Sequence, residues 1–217
     1  MKKNSAIQEL LKVMARLRSR TGCPWDREQD HRSIRWHAVE EVYELIDAIE
    51  AGDDHELEEE LGDLLLQVVF HCQLAKERKA FDFDRVTRGI TEKLVRRHPH
   101  VFGGAKVKDV DQVWANWEKI KRAEKQGTRH ARASALDGIP KHLPALLRAE
   151  KLVKKARKAG LLQHGKPAAS GKRSDMGRQL FDLVRHAQQN GWSAEALLRV
   201  ETRRQEKRLR RAERSGT

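Results

Sequence analysis

HAVEEVYELIDAIEAGDDHELEEELGDLLLQVVFH, residues 37–71, decides the fold. Val39, Val42, Leu45, Ile46 and Ile49 recur with a 3.6-residue period, and Leu61, Leu65 and Val68 continue it beyond AGDD. Gly52 suits a helix stop, and Asp53 or Asp54 suits the N-cap of the next helix. The stretch therefore predicts an antiparallel helical hairpin. Its apolar positions need burial, yet carboxylates sit beside them. Glu41 and Glu44 are spaced i, i+3 on the first helix, and Glu60 and Asp63 on the second. Glu41 and Asp63 are equally far from Gly52, as are Glu44 and Glu60, so the two pairs oppose one another across the hairpin.

Four carboxylates at that spacing repel one another and hold each other's pKa values up unless a cation is present. All the ligands are oxygens, and neither helix carries a Glu-x-x-His. That chemistry points to Mg²⁺, with Mn²⁺ as the alternative, rather than to zinc or a di-iron bundle. Glu56, Glu58 and Glu59 read as a solvated face. Helix-end cations are expected nearby: Lys93, Arg96 and Arg97 share one face in KLVRRHPH, where they suit phosphate oxygens or simply the helix dipole. Trp114 and Trp117 at helical spacing read first as core residues.

Working outward, amphipathic patterns predict helices over 4–20, 33–50, 55–79, 84–97, 109–125, 143–160 and 176–213. Loops are expected at 20–31 and 98–104, and a Gly/Pro/Ser linker at 163–175. No stretch alternates with period two, so the expected class is all-α. The domains expected are a catalytic helical module over 1–127, a connecting segment over 128–162, and a basic remnant over 163–217. The basis for "remnant" is that ELGDLLLQVVFHCQ (60–73) is similar to DMGRQLFDLVRHAQ (175–188), with Arg178 where the first copy has Asp63.

Charge divides the chain as well. Its net charge is +13, and residues 141–217 hold 20 Lys/Arg against 7 Asp/Glu, so they carry the whole surplus. Cys23 and Cys72 form no metal or disulfide pattern, which favours a reducing compartment. The first residues lack a signal-peptide core and no run suits a membrane span, so a cytoplasmic protein is expected.

GCPWDREQ, EEVYELIDAIE, EELGDLLLQVVFH, KLVRRHPHVFGG, WEKIKRAEK and SALDGIPKHLPALLRAEKL occur in this order between about residues 21 and 160. Together they closely resemble the MazG family of nucleoside triphosphate pyrophosphohydrolases. The resemblance implies an all-α homodimer built from helical bundles. It further implies Mg²⁺-dependent hydrolysis of NTPs or dNTPs to the monophosphate and pyrophosphate, a nucleotide-pool house-cleaning activity. Carried over by motif, the metal ligands are Glu41, Glu44, Glu60 and Asp63, with Lys93 and Arg97 on the phosphates and Arg96 beside them. Trp117 and Lys121 then line the nucleotide site. Glu44 and the adjacent Glu40 are both candidates for the general base. Full-length members resemble two tandem modules, and this chain departs from them by lacking the second ExxE arm. A rival reading makes the basic third, with Arg203, Arg204, Arg208, Arg210 and Arg211, a nucleic-acid surface on a catalytically weak protein. A third makes the degenerate half an interaction module that buries a dimer face.

Overall fold

A computed structural model describes residues 5–128, 134–162 and 173–215. The described residues form helices without a strand, as the sequence pattern predicts. The chain divides into two compact units, Met1–Val113 and Trp114–Thr217. The expected 163–175 linker falls largely outside the described residues.

In the first unit, α1 (Ala6–Leu17), α2 (Pro24–Glu28), α3 (His37–Ala51), α4 (Asp54–Glu77), α5 (Phe83–Arg97) and α6 (Pro99–Phe102) follow in order. The hairpin is α3 packed on α4. Gly52 ends α3 with φ +69°, in the left-handed region where a side chain is strained. Asp53 then opens α4 by accepting hydrogen bonds from the backbone N–H groups of His55 and Glu56.

The two segments expected as loops each hold a short helix. Pro24 and Pro99 stand at helix starts, where a missing N–H costs nothing, so each opens a helix inside a segment expected as a loop. Gly22 admits no side chain, because a Cβ there would lie 2.0 Å from the Leu17 carbonyl oxygen.

The core of this unit lies at the far end of α4. Val69, Phe70 and Leu74 meet Met14 of α1 and Ile34, with Leu10, Leu66 and Phe83 packed around them. Arg18 braces this end by forking onto Glu77 at 2.7 and 2.8 Å, with its guanidinium 5.5 Å from the Phe70 ring. His31 and His71 stack beside it, their Nδ1 atoms 2.8 Å apart.

Among the described residues of this unit, the expected burial of the hairpin's other apolar stripe is not met. Val42, Ile46, Leu61, Leu65 and Val68 are 39–51% exposed. Periodicity identifies an apolar stripe but not what covers it, and α1 takes the neighbouring face of α4 instead.

The second unit contains the rest of α7 (Val110–Ala123), with α8 (Ala145–Lys158), α9 (Arg173–Gln189) and α10 (Ala194–Ser215). Gly191, at φ +70°, splits the single helix expected over 176–213 into α9 and α10. The arginine-rich α10 packs on α8, and Leu209 is buried with Leu136, Leu152 and Ala156. Glu195 of α10 accepts the Ala145 N–H at 2.8 and 3.0 Å, capping α8 where Pro144 cannot. Arg148 is buried and ion-paired to Glu206, and Arg210 joins Glu206 to Asp137 at 2.8 Å each. No described helix is long and apolar enough to cross a membrane.

Candidate active site

The α3–α4 pairing brings three of the expected carboxylates to one point. Oxygens of Glu41, Glu60 and Asp63 all lie within 4.8 Å of one another, and each residue is half-buried. Register explains the meeting: residues equidistant from Gly52 face each other, and the i, i+3 step puts Glu60 beside Asp63. Glu44 stands next to Glu41 at the exposed edge of the group.

The electrostatics are those of a site short of positive charge. Burial, then the Asp63 carboxylate, push the Glu41 carboxyl above the usual glutamate value. Burial also raises Glu60, followed by the charges of Glu44, Asp63 and Glu41. Glu60 Oε2 is inaccessible to solvent and has no hydrogen-bond partner among the described residues. A buried carboxylate oxygen without a partner is costly, and a divalent cation with oxygen ligands supplies what it lacks. The residues present fit such an ion.

One group in the site escaped the sequence reading. Gln67 is buried and donates from Nε2 to Glu41 Oε1 at 3.2 Å. It lies one helical turn beyond Asp63, a spacing that could have marked it, but a neutral side chain draws no attention in an acidic motif. Glu40, the other candidate base, is exposed and pairs with His37 Nδ1 at 3.0 Å.

The expected phosphate ligands lie on the last turns of α5, which packs on α4. There Lys93 and Arg97 are half-buried and Arg96 is exposed. Trp117 and Lys121 belong to the second unit, where Trp117 is half-buried and Lys121 pairs with Glu118 at 3.3 Å.

Comparison with known proteins follows the same hairpin. The model of the MazG nucleotide pyrophosphohydrolase domain matches residues 29–102. The chain is 38% identical over 231 residues to the nucleoside triphosphate pyrophosphohydrolase of Escherichia coli (strain K12), covering 96% of this chain and 87% of that protein. It is 50% identical over 142 residues to the "uncharacterized protein YabN" of Bacillus subtilis (strain 168), covering 65% of this chain but only 28% of that one. Identity is 44% over 154 residues to the nucleoside triphosphate pyrophosphohydrolase/pyrophosphatase MazG of Thermotoga maritima, covering 71% of this chain and 58% of the relative.

Proposed function

Because the chain belongs to the MazG family of nucleotide pyrophosphohydrolases, we propose that it hydrolyses nucleoside triphosphates to the monophosphate and pyrophosphate, clearing NTPs or dNTPs from the pool. The reading rests on one observation: three carboxylates converge within 4.8 Å, and one of their oxygens is buried without a partner among the described residues. Glu41, Glu60 and Asp63, with Glu44 alongside, would hold Mg²⁺ or Mn²⁺. Bound there, the ion supplies neutralisation of phosphate charge and a lowered pKa for water.

The chain's own residues carry the remaining work. Gln67 fixes the orientation of Glu41 by donating to one of its oxygens. Glu44 takes the proton of the water that attacks the α-phosphorus; its exposed edge position suits that role, while Glu40 is engaged with His37. Lys93 and Arg97, with Arg96 beside them, hold the phosphate oxygens and balance the charge that grows on pyrophosphate as it leaves. The family resemblance also assigns Trp117 and Lys121 to the nucleotide. The experiment is product analysis: NTPs, dNTPs and ITP are incubated with Mg²⁺ or with EDTA and resolved by ion exchange. Monophosphate with pyrophosphate, lost in EDTA, supports the reading; a folded protein without turnover defeats it.

The exposed stripes of α3, α4 and α5 suit a homodimer. Val42, Ile46, Leu61, Leu65 and Val68 are joined on α5 by Val86, Ile90 and Leu94, and a second copy would remove all of these from water. The unpaired thiols Cys23 and Cys72 fit a reducing, cytoplasmic setting.

A nucleic-acid role is the second reading, favoured by one face of α10. Arg203, Arg204, Lys207, Arg208 and Arg211 are exposed at helical spacing, whereas Arg210 is held by Glu206 and Asp137. Cutting the chain at residue 160 would strip Leu209 from Leu136 and Leu152, so charge reversal of Arg204 and Arg208 is the cleaner test. A flatter salt dependence of filter binding in that variant would support the reading; no binding by the intact chain would end it.

A further inference from the structure

The second unit has a cavity of about 940 Å³ whose charge is almost all of one sign. Lys151, Lys154, Lys155 and Lys158 line it from α8, at i, i+3, i+4 and i+7, which is one helix face. Lys121 and Lys125 line it from the α7 side. Glu118 is the single carboxylate in the lining. Three of the six ammonium groups already act on that carboxylate. Burial opposes its ionisation, but Lys121, Lys158 and Lys155 together hold it below the usual glutamate range.

Lys155 is further fixed by donating to the backbone carbonyls of Ala135 and Asp137, at 3.3 and 2.6 Å. That ties the segment carrying Ile139, Pro140 and Leu143 to α8 as an apolar wall. Lys151 and Lys154 form no ion pair among the described residues.

Six like charges around one recess repel one another and draw in an anion, and the concave shape concentrates their field. A cavity of this size holds a small molecule, and a helix face of lysines suits a chain of phosphates as point-charge donors. Duplex or long single-stranded nucleic acid instead needs an extended groove that follows its backbone.

We propose that this cavity is a metal-independent site for an oligophosphate chain, either free or as the tail of a nucleotide, built from residues of the second unit alone. The lysines of α8 bind the phosphates, and the wall of Ile139, Pro140 and Leu143 receives a base when one is attached. The site needs no acidic ligand and no divalent cation, and the lysines that carry it, Lys151, Lys154 and Lys158, have no part in the hydrolytic reading.

The test uses the full chain in EDTA at low salt, titrated calorimetrically with inorganic tripolyphosphate and, separately, with ATP. One tripolyphosphate per chain is expected, with the same affinity in Asp63→Asn. The triple variant Lys151→Gln, Lys154→Gln, Lys158→Gln should bind about tenfold more weakly or worse, since three charge-assisted contacts go. The matching triple arginine variant should retain binding. Tighter binding of ATP would assign the apolar wall to a base, and equal binding would assign the site to the phosphate chain alone. Circular dichroism checks the fold; should the triple glutamine variant not fold, Lys154→Gln alone should still weaken binding severalfold. Unchanged affinity in the lysine variants, or no binding at all, would overturn the proposal. Displacement of tripolyphosphate by a 20-nucleotide single strand that spans several chains would also overturn it, making the patch a nucleic-acid surface.

Discussion

Gln67 and Glu41 meet across the α3–α4 hairpin, the amide Nε2 donating to the carboxylate Oε1 at 3.2 Å from a buried position. This bond works against the burial and the neighbouring charges that push Glu41 towards its neutral form. Replacing Gln67 with leucine should therefore raise the Glu41 pKa and loosen its aim. Metal affinity should fall about 10- to 100-fold, as for other outer-shell partners of ligands. Mn²⁺ titration followed by electron paramagnetic resonance reads this directly, and saturating Mg²⁺ should restore much of the turnover.

The raised pKa values of Glu41 and Glu60 set the acid limb of the activity profile. Protons and the cation compete for the same oxygens, so activity should fail on acidification above the ordinary glutamate value of 4.5. Raising Mg²⁺ should move that limb to lower pH. Profiles of kcat/KM at two Mg²⁺ concentrations decide it.

The same shifts speak to stability without metal. A carboxyl whose pKa is raised by folding contributes fully below its unfolded value and loses that contribution as pH rises through the folded one. At pH 7 the metal-free protein therefore bears the repulsion. Glu60→Gln should raise the melting temperature in EDTA and abolish the further rise that Mg²⁺ gives the unmodified protein.

The hairpin and its carboxylates were legible in the sequence because both depend on local spacing. Gly52 fixes the mirror point, and the i, i+3 steps of Glu41–Glu44 and Glu60–Asp63 do the rest. What was not legible depends on tertiary choice. The stripe of Val42, Ile46, Leu61 and Leu65 has the period of a core, yet the chain buries Val69, Phe70 and Leu74 instead. The short helices that Pro24 and Pro99 open fell inside expected loops, because proline ends one helix and starts another with equal ease. Gln67 carried no charge to betray it.

The uncovered stripe makes a solution prediction. Ile46→Glu or Leu65→Glu places a charge where a second copy would pack, so sedimentation equilibrium should report a dimer for the unmodified chain and a monomer for either variant. A monomeric unmodified chain would leave those faces without an occupant.

In the second unit, Arg148 is buried and paired with Glu206, with its Nη1 lacking a partner among the described residues. Arg148→Ala leaves a half-buried Glu206 without that partner and should cost about 3 kcal/mol, the usual loss when one side of a buried pair is removed. Burial alone would raise Glu206, but Arg210 and Arg148 hold it below the usual range. Its contribution is therefore present at neutral pH and lost as pH falls from the ordinary 4.5 through the folded value. Urea unfolding followed by circular dichroism at pH 7 and pH 4 measures both effects.

The measurement closest to the central claim is hydrolysis of a nucleoside triphosphate in ¹⁸O-labelled water with Mg²⁺, the products being read by mass spectrometry. Label confined to the monophosphate, and none incorporated by Glu41→Gln or Asp63→Asn (each expected to be slowed more than about hundredfold), is the predicted result. Label in pyrophosphate or in orthophosphate, or undiminished incorporation in either variant, would contradict it.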